Sequence, residues 1–142
     1  MSNKTNKYYA RIIAIQVFYS VKIDSKQGIE ELVDYEINKS EHKVLKYKPF
    51  IETQIKESLD NEDSIKLIIS KYLKAHRTIN DIQPLLQSIM INALTEVFSD
   101  GETPRNILID EYVEIASEFF DKKECGFVNA ILDKYIKEYH SE

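Results

Sequence analysis

Residues 81–98 read DIQPLLQSIMINALTEVF, and the apolar side chains Ile82, Leu85, Leu86, Ile89, Met90, Ala93, Leu94, Val97 and Phe98 recur in them at intervals of three and four. That spacing lines one side of a helix for about four turns, where a strand would alternate every second residue. Asp81 has the side chain of an N-cap, Pro84 then falls in the first turn, and Gly101 closes the connection that follows.

The same period extends in both directions. Upstream, a first helix is expected over about residues 7–23, a second on Ile29, Leu32, Val33 and Ile37, and a third on Tyr47, Phe50, Ile51, Ile55 and Leu59. Residues 60–64 read as a turn rich in capping side chains, before a fourth helix on Ile65, Ile68, Ile69, Tyr72 and Leu73. Downstream, Thr103-Pro104 opens a sixth on Ile107, Leu108, Tyr112, Val113, Ala116 and Phe120. The stretch DKKECG, residues 121–126, reads as a loop before a seventh on Phe127, Val128, Ile131, Leu132, Tyr135 and Ile136. With three glycines and three prolines in 142 residues, the expectation is an all-α fold, a single domain over 1–142, with Ile89, Leu94, Phe119 and Ile131 in its core.

Composition narrows function. A chain with 43% hydrophobic and 30% charged residues carries enough apolar surface to fold. No uninterrupted run reaches the roughly 18 apolar residues of a membrane span, and no signal-peptide pattern is visible, so no membrane and a cytoplasmic location are expected. The single cysteine, Cys125, excludes an internal disulfide and a thiolate zinc cluster. There is no phosphate loop, no HExxH and no nucleophile elbow, and His42, His76 and His140 are scattered. No catalytic residue, metal or cofactor is assigned.

The net charge of −5 hides a division. Residues 1–26 hold Lys4, Lys7, Arg11, Lys22 and Lys26 against Asp24, a net +4, while the other 116 residues hold 14 basic and 23 acidic side chains. At about 100° per residue, Lys4, Lys7, Arg11 and Lys22 fall in a sector of about 60°, with Tyr8, Ile15, Phe18 and Tyr19 in or beside it. Ala10, Ile13, Ala14, Val17 and Val21 form the opposite, core side. Cations beside rings suit single-stranded RNA, whose phosphates take the charge and whose bases stack. Taken alone, the stripe favours the plainer account of solvated lysines and rings belonging to a core wrapped round the helix. On the sixth helix Asp110, Glu111, Glu114, Glu118 and Asp121 make an acidic surface, either simply solvated or suited to a basic partner.

Several short patterns occur in order: Ala10-Arg11, Ala14, Gln16 and Tyr19-Ser20; Ala93-Leu94 with Glu96-Val97; Pro104 followed by residues 109–116, IDEYVEIA; and Phe127-Val128-Asn129 with Leu132-Asp133. This series, collinear from about Tyr8 to Ile136, resembles the NusB family of transcription antitermination factors. The resemblance implies two packed helical subdomains, helices one to three and four to seven. It implies pairing with the ribosomal protein NusE, binding of single-stranded boxA RNA in ribosomal RNA leader transcripts, and action within an antitermination complex on RNA polymerase. It places Arg11, Gln16, Tyr19 and Phe127 at the RNA surface, to which Lys4, Lys7 and Lys123 add charge. Leu86 and Met90 on the fifth helix and Glu111, Glu114 and Glu118 on the sixth become the partner surface. The chain departs from the family in its lysines where relatives are arginine-rich, and in Met90-Ile91, Thr95 and Ala130. Lysine lacks the bidentate fork of arginine, which predicts reduced RNA affinity. Two other readings stand beside this one: a helical adaptor without RNA binding, and a relative of the N-terminal domain of ribosomal RNA cytosine methyltransferases. The latter needs a catalytic domain whose cofactor motifs these residues do not carry.

Overall fold

A computed structural model describes residues 4–24, 26–99 and 102–139. Gly101 and His140 lie outside the described residues. Among those described there is no strand. Seven α-helices and two short 3-10 turns follow one another, and the chain divides into two compact units, Met1–Asp60 and Asn61–Glu142. The division falls where the family resemblance implies it, between the third and fourth helices.

Unit 1 contains α1 (Asn6–Ile23), α2 (Ile29–Lys39), a 3-10 turn (Leu45–Tyr47) and α3 (Lys48–Asp60). Thr5 starts α1 by accepting the Tyr8 N–H on Oγ1 at 3.2 Å, which satisfies one of the donors that a helix start leaves open. Ala10, Ile13, Ala14 and Val17 of α1 meet Val33 and Ile37 of α2, Val44, and Ile51 and Ile55 of α3 in one buried cluster. The two alanines keep that face of α1 low, and each branched side chain removed from water contributes about 1.5–3 kcal/mol. Lys48 ties α3 to α2 through Glu30 at 3.2 Å and Asp34 at 2.8 Å.

Unit 2 contains α4 (Glu62–Lys71), a 3-10 turn (Ile79–Asp81), α5 (Pro84–Ser99), α6 (Arg105–Ser117) and α7 (Lys122–Tyr139). Helices α4, α6 and α7 all touch α5, which is buried along most of its length, from Ser88 to Val97 without a break. A buried helix must satisfy its own polar side chains, and α5 does so along its backbone. Ser88 Oγ donates to the Pro84 carbonyl at 3.0 Å, Asn92 Nδ2 to Ser88 at 2.8 Å and Thr95 Oγ1 to Ile91 at 2.8 Å.

Five expectations need correction. Asp81 does not cap α5, because its carboxylate accepts the Thr78 N–H at 2.7 Å and closes the 3-10 turn, leaving Pro84 as the first helical residue. The turn expected over 60–64 shrinks to Asn61, with Glu62, Asp63 and Ser64 already in α4. Thr103 does not cap α6; Pro104 holds that position, its carbonyl accepting from Leu108 N–H at 3.1 Å. Residues 122–126 are helical, since the Asp121 carbonyl takes the Cys125 N–H at 3.1 Å and Lys122, Lys123 and Glu124 are good helix formers. Ile89, Leu94 and Ile131 are buried, but Phe119 is 39% exposed. Helix α6 ends at Ser117, and the Phe119 and Phe120 amides both fold back onto the Ala116 carbonyl, which takes Phe119 off the apolar face.

Candidate nucleic-acid interface

In unit 2, α7 presents Lys123, Phe127, Ala130, Ile131 and Lys134 on one side, as spacing by three and four requires. Facing them are Tyr72, Leu73, Lys74 and Arg77 after α4, then Asp81, Ile82 and Gln83, with Leu86 of α5 behind. Together they enclose a concavity of about 570 Å3. Its far wall is braced: Gln87 Nε2 donates to the carbonyls of Ile79 at 2.9 Å and Ile82 at 2.7 Å, and the Arg77 amide closes a turn onto Lys74 at 2.8 Å.

The Arg77 guanidinium carbon sits 5.3 Å from the centre of the Phe127 ring. At that distance the cation is held by the ring's quadrupole while both planar groups remain at the surface. Lys74, Lys123 and Lys134 add three more cations to the rim, against the carboxylates of Asp81 and Glu124. Phosphate oxygens, and bases that stack on a ring or a guanidinium plane, are the ligands such a lining suits.

Lys123 and Phe127 were expected from the sequence; Lys74, Arg77 and Lys134 were not. The signal for Lys74 and Arg77 was the segment KAHR, residues 74–77, which has two cations and no carboxylate. Its relevance depends on the chain folding back towards α7, which periodicity does not reveal. Cys125 on the same helix is half-buried, and its thiol is pushed above the ordinary range by burial, then by the carboxylates of Glu124 and Asp121.

In unit 1, α1 offers less open surface than its wheel suggests. Lys4 Nζ lies 5.1 Å from the Tyr8 ring and Lys7 Nζ 4.8 Å from the Phe50 ring. Gln16 and Tyr19 are half-buried and Lys22 is exposed. Arg11, expected at the surface, is only 4% exposed, a correction that follows from its position among Tyr8, Ile15 and Phe18, all buried. Helix α1 is therefore covered on more than its alanine side.

The partner surface is corrected in the same sense. Met90 is fully buried, because α5 runs through the interior of its unit, and Leu86 is 5% exposed at the back of the concavity. On α6, Asp110 is exposed, Glu111 and Glu114 are half-buried, and Glu118 is exposed just past the helix end. The acidic side chains alone remain as candidates for contact with a partner.

Comparison with known proteins gives a consistent result. The model of the NusB family matches residues 9–137. The transcription antitermination protein NusB of Rickettsia bellii (strain OSU 85-389) is 31% identical over 147 residues, covering 96% of this chain and 94% of that protein. Among solved structures, T. maritima NusB superposes with a TM-score of 0.80 at 21% identity, covering 99% of this chain and 96% of that one. A chain from a complex of the antitermination factors NusB and NusE with double-stranded RNA superposes with a TM-score of 0.78 at 18% identity, covering 94% and 98%.

Proposed function

The chain belongs to the NusB family, and from that premise we propose that it is a transcription antitermination protein that pairs with NusE and binds boxA-type single-stranded RNA in ribosomal RNA leader transcripts. Its activity is recognition, with no bond made or broken. It acts in the cytoplasm, within the antitermination complex on RNA polymerase, and both units serve as one RNA-binding domain. Among the described residues no helix is long and apolar enough to cross a membrane.

One observation carries the RNA reading: the Arg77 guanidinium against Phe127, set in a concavity whose rim holds Lys74, Lys123 and Lys134. A base entering there stacks on a ring or a guanidinium plane while the lysines take its flanking phosphates. Lys4, just before α1, with Lys7, Gln16 and Tyr19 on it contribute a second set of contacts, and Glu111, Glu114 and Glu118 face the partner. With few cations in each set, binding by the chain alone is weak and salt-sensitive, and a basic partner strengthens it.

The test is RNA affinity of the chain with and without NusE, over a range of salt. Binding strengthened by the partner supports the proposal. Absence of boxA binding in the paired state overturns it and leaves a helical adaptor.

A further inference from the structure

Lys43 and Lys46, in the connection between α2 and α3 of unit 1, belong to neither set of contacts described above, yet they line a groove of about 520 Å3 with Asn6, Ile37, His42, Val44 and Leu45. Leu45 is 69% exposed, so the groove pairs an open apolar wall with cations. The connection is not slack: the His42 N–H donates to Ser40 Oγ at 3.1 Å, the Val44 amide to the His42 carbonyl at 3.0 Å, and the Tyr47 amide to Val44 at 2.9 Å.

One ring contact borders this groove, through His42. The imidazole of His42 lies parallel to the Tyr9 ring, with centres 3.4 Å apart and planes within 6°. Lys7, which is not part of the lining, is held over Phe50 at 4.8 Å. His42 is exposed, so the stack begins on α1 and ends at the surface. Residues 42–48 hold three lysines and no carboxylate. Lys48 is committed to Glu30 and Asp34, whereas no ion pair to a described carboxylate joins Lys7, Lys43 or Lys46.

We infer that this groove is a second binding track for single-stranded RNA, taking nucleotides that flank the boxA-type element. The inference rests on the RNA reading above and extends it to residues outside the family's motifs. Charge complementarity selects the occupant: the groove's lining carries two ammonium groups and no carboxylate, which matches the phosphates of a strand. The Tyr9–His42 pair matches an unpaired base, which would add a third ring to a stack already ordered before binding. Leu45 supplies the apolar wall for the sugar and base edges.

The experiment uses the full chain with NusE and two RNAs, one holding the boxA-type element alone and one extended by about ten nucleotides on either side, within the site size of a single-strand surface. In the wild-type complex the extended RNA binds more tightly. The variant Lys43→Ala/Lys46→Ala leaves affinity for the short RNA unchanged and removes the gain from extension. Its salt slope on the extended RNA drops by about 1.4, two contacts at about 0.7 each. Photocrosslinking of extended RNA carrying 4-thiouridine in its flanks labels the peptide containing His42, and His42→Ala reduces that label. Circular dichroism confirms that both variants fold.

Equal affinity of the double variant and the wild type for the extended RNA, with the short RNA bound normally, overturns the second track alone. Failure of wild-type protein to bind either RNA overturns both readings. A double variant that loses affinity for NusE and not for the extended RNA makes the groove a protein contact, and also overturns the inference.

Discussion

The phenol of Tyr112 on α6 donates a 2.6 Å hydrogen bond to the Glu96 carboxylate on α5, and both residues are 1% exposed. Two residues of the family-like patterns are thus joined inside unit 2, where their work is to hold helices together. A carboxylate taken out of water needs donors, and losing one leaves it under-satisfied. Tyr112→Phe keeps the ring and removes the donor, so unfolding in urea should show a loss of about 1.5–3 kcal/mol. An unchanged midpoint would mean that the bond adds nothing to the native state.

Arg11 and Lys7 should separate in the same kind of measurement. Arg11 is 4% exposed, and removing its side chain strips packing from the interior, costing about 0.5–3 kcal/mol of stability. Lys7 is half-buried against Phe50, and Lys7→Ala should leave the melting temperature nearly unchanged while lowering the salt slope of RNA binding by about 0.7. Equal melting temperatures for Arg11→Ala and wild type would return Arg11 to the surface.

Cys125 should alkylate slowly. Burial, then Glu124 and Asp121, raise its pKa, so the thiolate fraction at pH 8 is smaller than in an unperturbed cysteine. Iodoacetamide should therefore react more slowly with the folded chain than with the chain in denaturant at the same pH. Acceleration on folding would contradict this environment.

The helices were legible because their evidence is repetitive. Apolar spacing on α5 and α7 survives a misplaced cap, and the Asp133–Lys137 pair forms at 3.0 Å, as its i, i+4 spacing leads one to expect. Boundaries were less legible where two local signals compete. Asp81 can cap a helix or close a 3-10 turn, and Thr78 decides the matter by supplying the amide. Phe119 keeps an apolar identity after its helix has ended. The site was only half legible for a different reason: a wheel shows which side chains share a face but not what covers that face. Arg11, Leu86 and Met90 were accordingly placed too far out. Lys74, Arg77 and Lys134 join Lys123 and Phe127 only through tertiary folding of unit 2.

The central claim is that RNA is held in the concavity where Arg77 meets Phe127, and the most direct measurement is the boxA RNA affinity of the Arg77→Ala/Phe127→Ala variant paired with NusE. The account predicts a loss of at least about 1–3 kcal/mol, the value of one base platform, with affinity for NusE and the circular dichroism spectrum unchanged. Wild-type RNA affinity in that folded, partner-bound variant would contradict it.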